Sequence, residues 1–327
     1  MSGLERHWYR ITPLHLILYP VSLIFRLLAA LRRALYRAGL LHSVRLPVPV
    51  VVVGNISVGG TGKTPLTLAL AQQLIERGMH PLIVSRGHGG DTGQPRAVTL
   101  DSDARSVGDE PLLMARRQLC PVWVGKDRAA AAQTGLQANP QCDVVLCDDG
   151  LQHYRLQRDA EIAVVDGARG LGNGMLLPAG PLREPAGRLR TVDAVVVNGG
   201  ETTSGQYAMN LDGAVFYNLL DPARIVTAAH FHALRNHAVA GIGNPRRYFL
   251  HLESLGIAFT PHPFPDHHPY RAEELAFADC DAILLTEKDA VKCAAFADER
   301  YWVLRVDARI DPALTAHILR KIAPHGR

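Results

Sequence analysis

Between Arg6 and Ile75 the chain contains no aspartate or glutamate, yet Arg6, Arg10, Arg26, Arg32, Arg33, Arg37, Arg45 and Lys63 all fall there. The overall balance of 35 basic against 31 acidic residues is uninformative. The acid-free stretch is informative, because it concentrates positive charge at one end and leaves the remainder mildly acidic. Cysteine is also scarce. Cys120, Cys142, Cys147, Cys280 and Cys293 form no C-x-x-C pair and no even framework, which argues against a zinc ribbon or a disulfide scaffold and for reduced cytosolic thiols. Aromatics make up only 6%, too few for a base-stacking platform, and no basic stripe lies outside the N-terminal stretch; nucleic-acid binding is not expected. Long apolar runs are missing too. The longest uncharged one, Pro13 to Phe25, contains Pro20 and is closed by Arg26, short of the roughly 20 residues a membrane span needs. It runs into an Arg-rich stretch with no small-residue cleavage site, so a secretory signal is not expected.

What is present is ordinary globular material. At 47% hydrophobic and 20% charged, the chain can build a real core and is not disordered. Its 327 residues predict two domains at roughly 150 residues each. On a helical projection of residues 11–38, Arg26, Arg33 and Arg37 share one face, while Ile24, Leu28, Leu31 and Leu35 share the opposite one. A basic amphipathic helix of this kind suits the surface of an anionic inner leaflet. The expectation is peripheral attachment to the cytoplasmic face of the inner membrane.

From Val48 onward, short β-branched runs alternate with helical patterns. Val48–Val53, Leu82–Ser85, Val122–Val124, Asp143–Cys147, Ile162–Asp166 and Ala194–Val197 read as buried strands, with helices over Pro65–Glu76 and Pro111–Leu119. This alternation predicts a parallel α/β sheet. Tyr207–Leu220 reads as short strands about a turn at Asp212-Gly213. A second α/β set follows, with strands Ala238–Ile242, Ala282–Thr286 and Trp302–Val306 and helices near Arg246–Leu255 and Ala290–Ala297. The expected organisation is an N-terminal membrane-associated segment (1–45), a nucleotide-binding core (46–210), and connecting strands with a smaller C-terminal α/β domain (211–327).

The strongest local signal is the strand Val48–Val53 running into Gly-Asn-Ile-Ser-Val-Gly-Gly-Thr-Gly-Lys-Thr. Such a glycine-rich turn lets backbone N–H groups curl around phosphate oxygens at a helix N-terminus. Residues Ser57, Val58, Gly59, Gly60, Thr61, Gly62, Lys63 and Thr64 are therefore the expected nucleotide cradle. Lys63 would reach the β- and γ-phosphates and Thr64 would hold Mg²⁺. Ser57 stands where the general pattern has glycine. A second apolar strand ends in Asp148 and Asp149, the arrangement that brings a carboxylate to Mg²⁺ in phosphate-loop enzymes. Together these predict a P-loop NTPase-like core using ATP and Mg²⁺. A membrane-surface regulatory ATPase acting on a protein partner is the rival reading, but Val58 occupies the position of that class's signature lysine.

Eight blocks in order resemble the tetraacyldisaccharide 4′-kinase family, the lipid A kinases of Gram-negative bacteria: GNISVGGTGKTP (54–65), SRGHGG (85–90), VGDEP (107–111), DDGLQH (148–153), PAGPLREP (178–185), GIGNP (241–245), FPDHHPY (264–270) and TEKDAVK (286–292). Ser57 is typical of that family's loop, and His88 stands where it has tyrosine. The resemblance implies transfer of the ATP γ-phosphate to the 4′-hydroxyl of a tetraacylated disaccharide 1-phosphate, a lipid held in the inner leaflet. No obligate protein partner is evident from the sequence.

It further implies that Asp109 is the catalytic carboxylate and His267 its supporting histidine, with Asp266 a candidate to orient the imidazole. Asp148 and Asp149 would handle Mg²⁺. Arg183 and Glu184 would contact substrate or γ-phosphate, with Arg128 a further candidate. The residues alone also allow Asp109-Glu110-Pro111 to be a helix start, and Arg183 with Glu184 to be a surface pair. His153 is placed near the nucleotide or in a structural hydrogen bond. Glu287, Lys288 and Asp289 would close over nucleotide or cap the following helix. His230, His232 and His237 show no regular ligand spacing, and no metal is expected there.

Overall fold

Four consecutive valines account for the strand at the centre of the fold. In β1 (Val50–Gly54), Val51 and Val53 enter one apolar cluster while Val50 and Val52 enter another, so both faces of the strand are buried and neither needs polar residues. The computed structural model describes residues 7–87, 90 and 93–323. His88 and Arg6 lie outside the described residues.

Before β1 runs α1 (Leu14–Arg37). After it come α2 (Lys63–Ile75), β2 (Pro81–Ser85), β3 (Arg96–Val98), α3 (Ala104–Val107), α4 (Asp109–Arg116), β4 (Val122–Val124) and α5 (Arg128–Ala138). Then follow β5 (Val144–Asp148), β6 (Ala160–Asp166), β7 (Ala194–Asn198), β8 (Gln206–Asn218) and β9 (Ile225–Thr227). The remainder is β10 (Asn236–Ala240), α6 (Pro245–Ser254), β11 (Phe259–Pro263), β12 (Ala282–Thr286), α7 (Glu287–Cys293), β13 (Tyr301–Ile310) and α8 (Pro312–Ile322).

The strands form one sheet in the order β11-β10-β12-β13-β8-β7-β6-β1-β5-β2-β4-β3, with β9 on β8. Its pairs are parallel from β4 through β8 and from β11 through β13. An antiparallel β8–β13 pair joins these two parallel stretches. The parallel α/β architecture is therefore as expected, but Tyr207–Leu220 is not two short strands. Asp212 and Gly213 lie inside β8, opposite a register shift between Arg305 and Asp307. A β-carbon on Gly213 would sit 2.6 Å from the Arg305 carbonyl oxygen. The glycine admits a close backbone approach at a bulge rather than a turn.

Helix α1 also differs from the expectation. It continues through Pro20 and past Arg26, and is long and apolar enough to cross a membrane by length and composition. Only 11% of its most apolar window is buried. One stripe docks laterally on the core. Ser22 Oγ donates to the Leu176 carbonyl (2.9 Å) and accepts from the Ala179 amide (3.0 Å), while Phe25 packs into the cluster around β1. Ile17 (72% exposed) and Ile24 (60%) face outward.

Candidate active site

The phosphate loop runs from the end of β1 to the start of α2, with Gly59 and Gly62 at φ +99° and +97°, backbone that side chains disfavour. Neighbouring segments brace it from outside. Val58 N–H donates to the Pro181 carbonyl (2.8 Å), and Ser57 bridges to Leu182. Asn198 at the end of β7 donates to the Thr61 carbonyl (2.9 Å), and Arg169 donates to the Gly60 carbonyl. Thr64 is buried in the first turn of α2. From the other half of the chain, Gly243 comes so close that a β-carbon there would lie 2.9 Å from the Gly60 nitrogen.

Two adjacent carboxylates sit beside this loop in opposite electrostatic states. Asp148, at the buried end of β5, accepts from Thr67 Oγ1 (3.1 Å), and its other oxygen is buried without a partner. Burial, with Glu110 nearby, pushes its pKa up to about 7, against the pull of Lys63. Asp149 faces Lys63 Nζ at 3.6 Å and Arg183 Nη1 at 3.2 Å. Burial opposes its ionisation, but Lys63 and Arg183 bring it down to about 2. Asp149 adopts φ +50°, a left-handed conformation that typically marks a site held by its surroundings.

The second group spans both halves of the chain. Asp109, in the first turn of α4, accepts from His267 Nδ1 at 3.1 Å. His267 follows β11 and is also left-handed, at φ +61°. Lys292 Nζ lies 3.9 Å from Asp109 and 2.8 Å from the buried Asp289. Lys288 Nζ, one turn earlier on α7, reaches Asp266 Oδ1 (3.0 Å), Glu110 Oε1 (3.3 Å) and His267 Nε2 (3.3 Å). Burial alone would lower its pKa, but Glu110 and Asp266 reverse the effect and raise it. The helix-start reading of Asp109-Glu110 also holds, since both acids lie in the first turn of α4. Helix α7 begins at Glu287, three residues before the expected start, because Thr286 Oγ1 caps the Asp289 amide.

Lys63, Asp149, Arg183, Glu110, His267 and Lys288 all line one cleft of about 2390 Å³, well above the usual 300–1,000 Å³ of a small-ligand pocket. Trp8, Phe25 and Leu28 contribute an apolar wall from the N-terminal segment. The structure does not bring every expected residue to the cleft's chemistry. Arg128 is buried and donates to the carbonyls of Lys126 (3.1 Å) and Asp149 (3.4 Å), bracing the Asp149 backbone. Glu184 does line the cleft, but it is buried, with its oxygens held by Gln152 (2.7 Å), Tyr154 (2.8 Å) and Arg188 (3.2 Å). His153 approaches Asp127 at 3.7 Å. Asn198, Arg169 and Arg247 line the site although sequence reasoning does not single them out. Asn198 repeats the signal of Asp148, a polar residue closing an all-apolar strand.

A family model described as tetraacyldisaccharide-1-P 4′-kinase matches residues 14–323. The chain belongs to this kinase family. A tetraacyldisaccharide 4′-kinase of Methylobacillus flagellatus is 50% identical over 98% of this chain and 95% of that protein. One from an Azoarcus strain is 53% identical over 100% of this chain and 97% of that protein. The crystal structure of the Aquifex aeolicus kinase LpxK in complex with ATP matches with a TM-score of 0.79 at 28% identity, covering 93% of this chain and 98% of that one. As a tetraacyldisaccharide 4′-kinase, the chain carries out ATP-dependent 4′-phosphorylation in lipid A biosynthesis.

Proposed function

We propose that residues 57–64 cradle the ATP phosphates, that Lys63 neutralises the β- and γ-phosphates, and that Asp109 is the base. A sugar hydroxyl is a poor nucleophile. In this reading Asp109 accepts the 4′-hydroxyl proton as that oxygen bonds to the γ-phosphorus. The bond from phosphorus to the β–γ bridging oxygen then breaks, and ADP leaves. His267 orients Asp109, and Arg183, already beside Asp149, neutralises charge on the transferred group. The observation that carries the reading is the 3.1 Å Asp109–His267 hydrogen bond between opposite halves of the chain, which holds Asp109 directly behind a histidine lining the same cleft as Lys63.

Thr64, Asp148 and Asp149 are the residues proposed for Mg²⁺. They offer the oxygen donors a hard cation takes, and the unpartnered buried Asp148 oxygen favours the fit. The ion, when bound, supplies positive charge against the phosphate oxygens.

The division into an anchor (1–45), a kinase core (46–210) and a closing half (211–327) belongs to the same proposal. Two apolar clusters lie wholly within 211–327, which supports a closing half, while Val291, Ile310, Leu314, Ile318 and Ile322 join the cluster of the kinase core, so α8 packs on the core. The anchor rests on the cytoplasmic face of the inner membrane. Lateral docking of α1 through Ser22 and Phe25 favours a helix lying in the interface over one that crosses it. Its outward apolar residues and arginines meet an anionic leaflet, while Phe25 and Leu28, which line the cleft, offer an apolar contact to the acyl chains of the lipid. No obligate protein partner is required. The test is Asp109→Asn: transfer to the lipid should be lost while ATP binding survives, and near-normal turnover would sink Asp109 as the base.

A further inference from the structure

The Lys288 ammonium has three N–H donors and no acceptor, and three acceptors surround it: Asp266 Oδ1, Glu110 Oε1 and His267 Nε2. A group that can only donate obliges the imidazole nitrogen facing it to be a lone pair. The proton of a neutral His267 therefore sits on Nδ1, where it is donated to Asp109. We infer that Lys288 is a positioning residue for phosphoryl transfer, fixing the Nδ1–H tautomer of His267 and thereby assigning base duty to Asp109 alone. The inference rests on the proposed role of Asp109 and adds to it the group that keeps its partner in one protonation state.

The physical reason is repulsion. Protonation of His267 at Nε2 would set an N–H against an ammonium 3.3 Å away, with two positive charges at that spacing. An imidazolium beside Asp109 would lower the basicity of the carboxylate before the acceptor hydroxyl arrives. With Lys288 facing Nε2, the N–H of the imidazole is the one on Nδ1, directed at Asp109. The charged groups around the dyad are Asp109 and Glu110 from α4, Lys288 and Lys292 from α7, and Asp266 from the histidine's own loop. Asp266 Oδ1 also stands 3.9 Å from Nε2 and would favour a proton there, but it accepts from Lys288 at the shorter 3.0 Å and from the His267 amide at 3.1 Å. The three-way grip on Lys288 also joins α4, α7 and the 265–268 loop. Losing it would loosen a backbone already held at positive φ, so a structural role must be separated from the proposed one.

The experiment is nitrogen NMR on full-length protein labelled with ¹⁵N-histidine, wild type against Lys288→Met and Lys288→Arg, with His267→Asn to assign the signal. Steady-state kinetics run beside it. In the wild type at neutral pH, His267 Nε2 should report a lone pair and Nδ1 a proton. In Lys288→Met, Nε2 should gain proton character. Turnover should then fall by on the order of 10²-fold, with KM for ATP unchanged and the acid limb of the rate profile moved to higher pH. Lys288→Arg should restore the tautomer and most of the rate. An unchanged His267 spectrum in Lys288→Met would overturn the inference, as would a rise in KM for ATP equal to the loss in rate. The spectrum is read on resting protein. A wild-type rate in Asp109→Asn would thus reject the base assignment without touching the tautomer result.

Discussion

Gly243→Ala should impair the kinase without unfolding it. The added β-carbon would sit 2.9 Å from the Gly60 nitrogen, and ordinary contact begins near 3.4 Å. The 241–245 loop and the phosphate loop must therefore separate by about 0.5 Å, and a displacement near 1 Å costs about 10²-fold when reacting groups lose alignment. About a tenfold fall in kcat/KM for ATP is expected, since Gly60 belongs to the phosphate cradle and Gly243 closes on it from the other half. Gly187→Ala is the control, because nothing lies within 4 Å of its added carbon and its φ is not positive. The assay is initial rate against ATP at saturating lipid acceptor, with thermal midpoints recorded for both variants. Wild-type kinetics for Gly243→Ala would refute the claim that the second half closes directly on the phosphate loop.

Three further outcomes follow from other parts of the molecule. Arg188, 2% exposed, donates to Glu161 (2.6 Å), Glu184 (3.2 Å) and Thr191 (2.8 Å). Arg188→Met should cost about 3–5 kcal/mol in denaturant unfolding by leaving buried carboxylates underpaired; a loss of turnover with stability intact would instead make Glu184 a substrate contact. Burial, with Arg128 adding to it, pushes the His153 pKa down to about 4, below the roughly 6.5 of an unfolded chain. The unfolded state then binds the extra proton, so stability should fall as pH drops from about 6.5 to 4, by at most about 3 kcal/mol. His153→Gln should flatten that slope in thermal melts, and an unaltered slope would show that His153 does not cause it. Finally, Ile17→Asp with Ile24→Asp should weaken partitioning onto anionic vesicles on the order of 10²-fold while the soluble fold survives; unchanged co-sedimentation would contradict the anchoring role of α1.

Much of this molecule is legible in its sequence because its parallel strands are buried on both faces. Val50–Val53, Val144–Cys147 and Ala194–Val197 are uninterrupted apolar runs, too short for helices and with no polar residue to place on an exposed face. The phosphate loop is legible for a similar reason, since strand, glycines, lysine and helix must be contiguous in the chain. What sequence could not supply is distance across the fold. Asp109 and His267 are 158 residues apart, and they meet only because the loop after β11 is brought up to the first turn of α4, with α7 packed beside them. Lys288 reads equally well as a helix-start residue until His267, Asp266 and Glu110 are seen around it. Arg128 carries the residue type of a phosphate contact, but the fold uses it to brace the Asp149 backbone, while Glu184 lines the cleft with both oxygens held by neighbouring side chains, a grip its sequence block does not announce. Asp212-Gly213 has turn chemistry, and only its long-range partner Arg305 reveals a bulge inside a long strand. Pro20 and Arg26 break the apolar run in sequence, yet neither breaks the helix that runs through them.

Whether the cleft transfers phosphate to the lipid through Asp109 is decided by incubating the purified full-length protein with γ-labelled ATP, Mg²⁺ and the tetraacylated disaccharide 1-phosphate in detergent. Lys63→Ala and Asp109→Asn are run alongside, and phosphorus NMR locates the new phosphate. Label should enter the lipid phase as a 4′-phosphomonoester with the wild type, and that transfer should be lost in both variants. Label released only as inorganic phosphate, or full transfer by Asp109→Asn, would contradict the proposed mechanism.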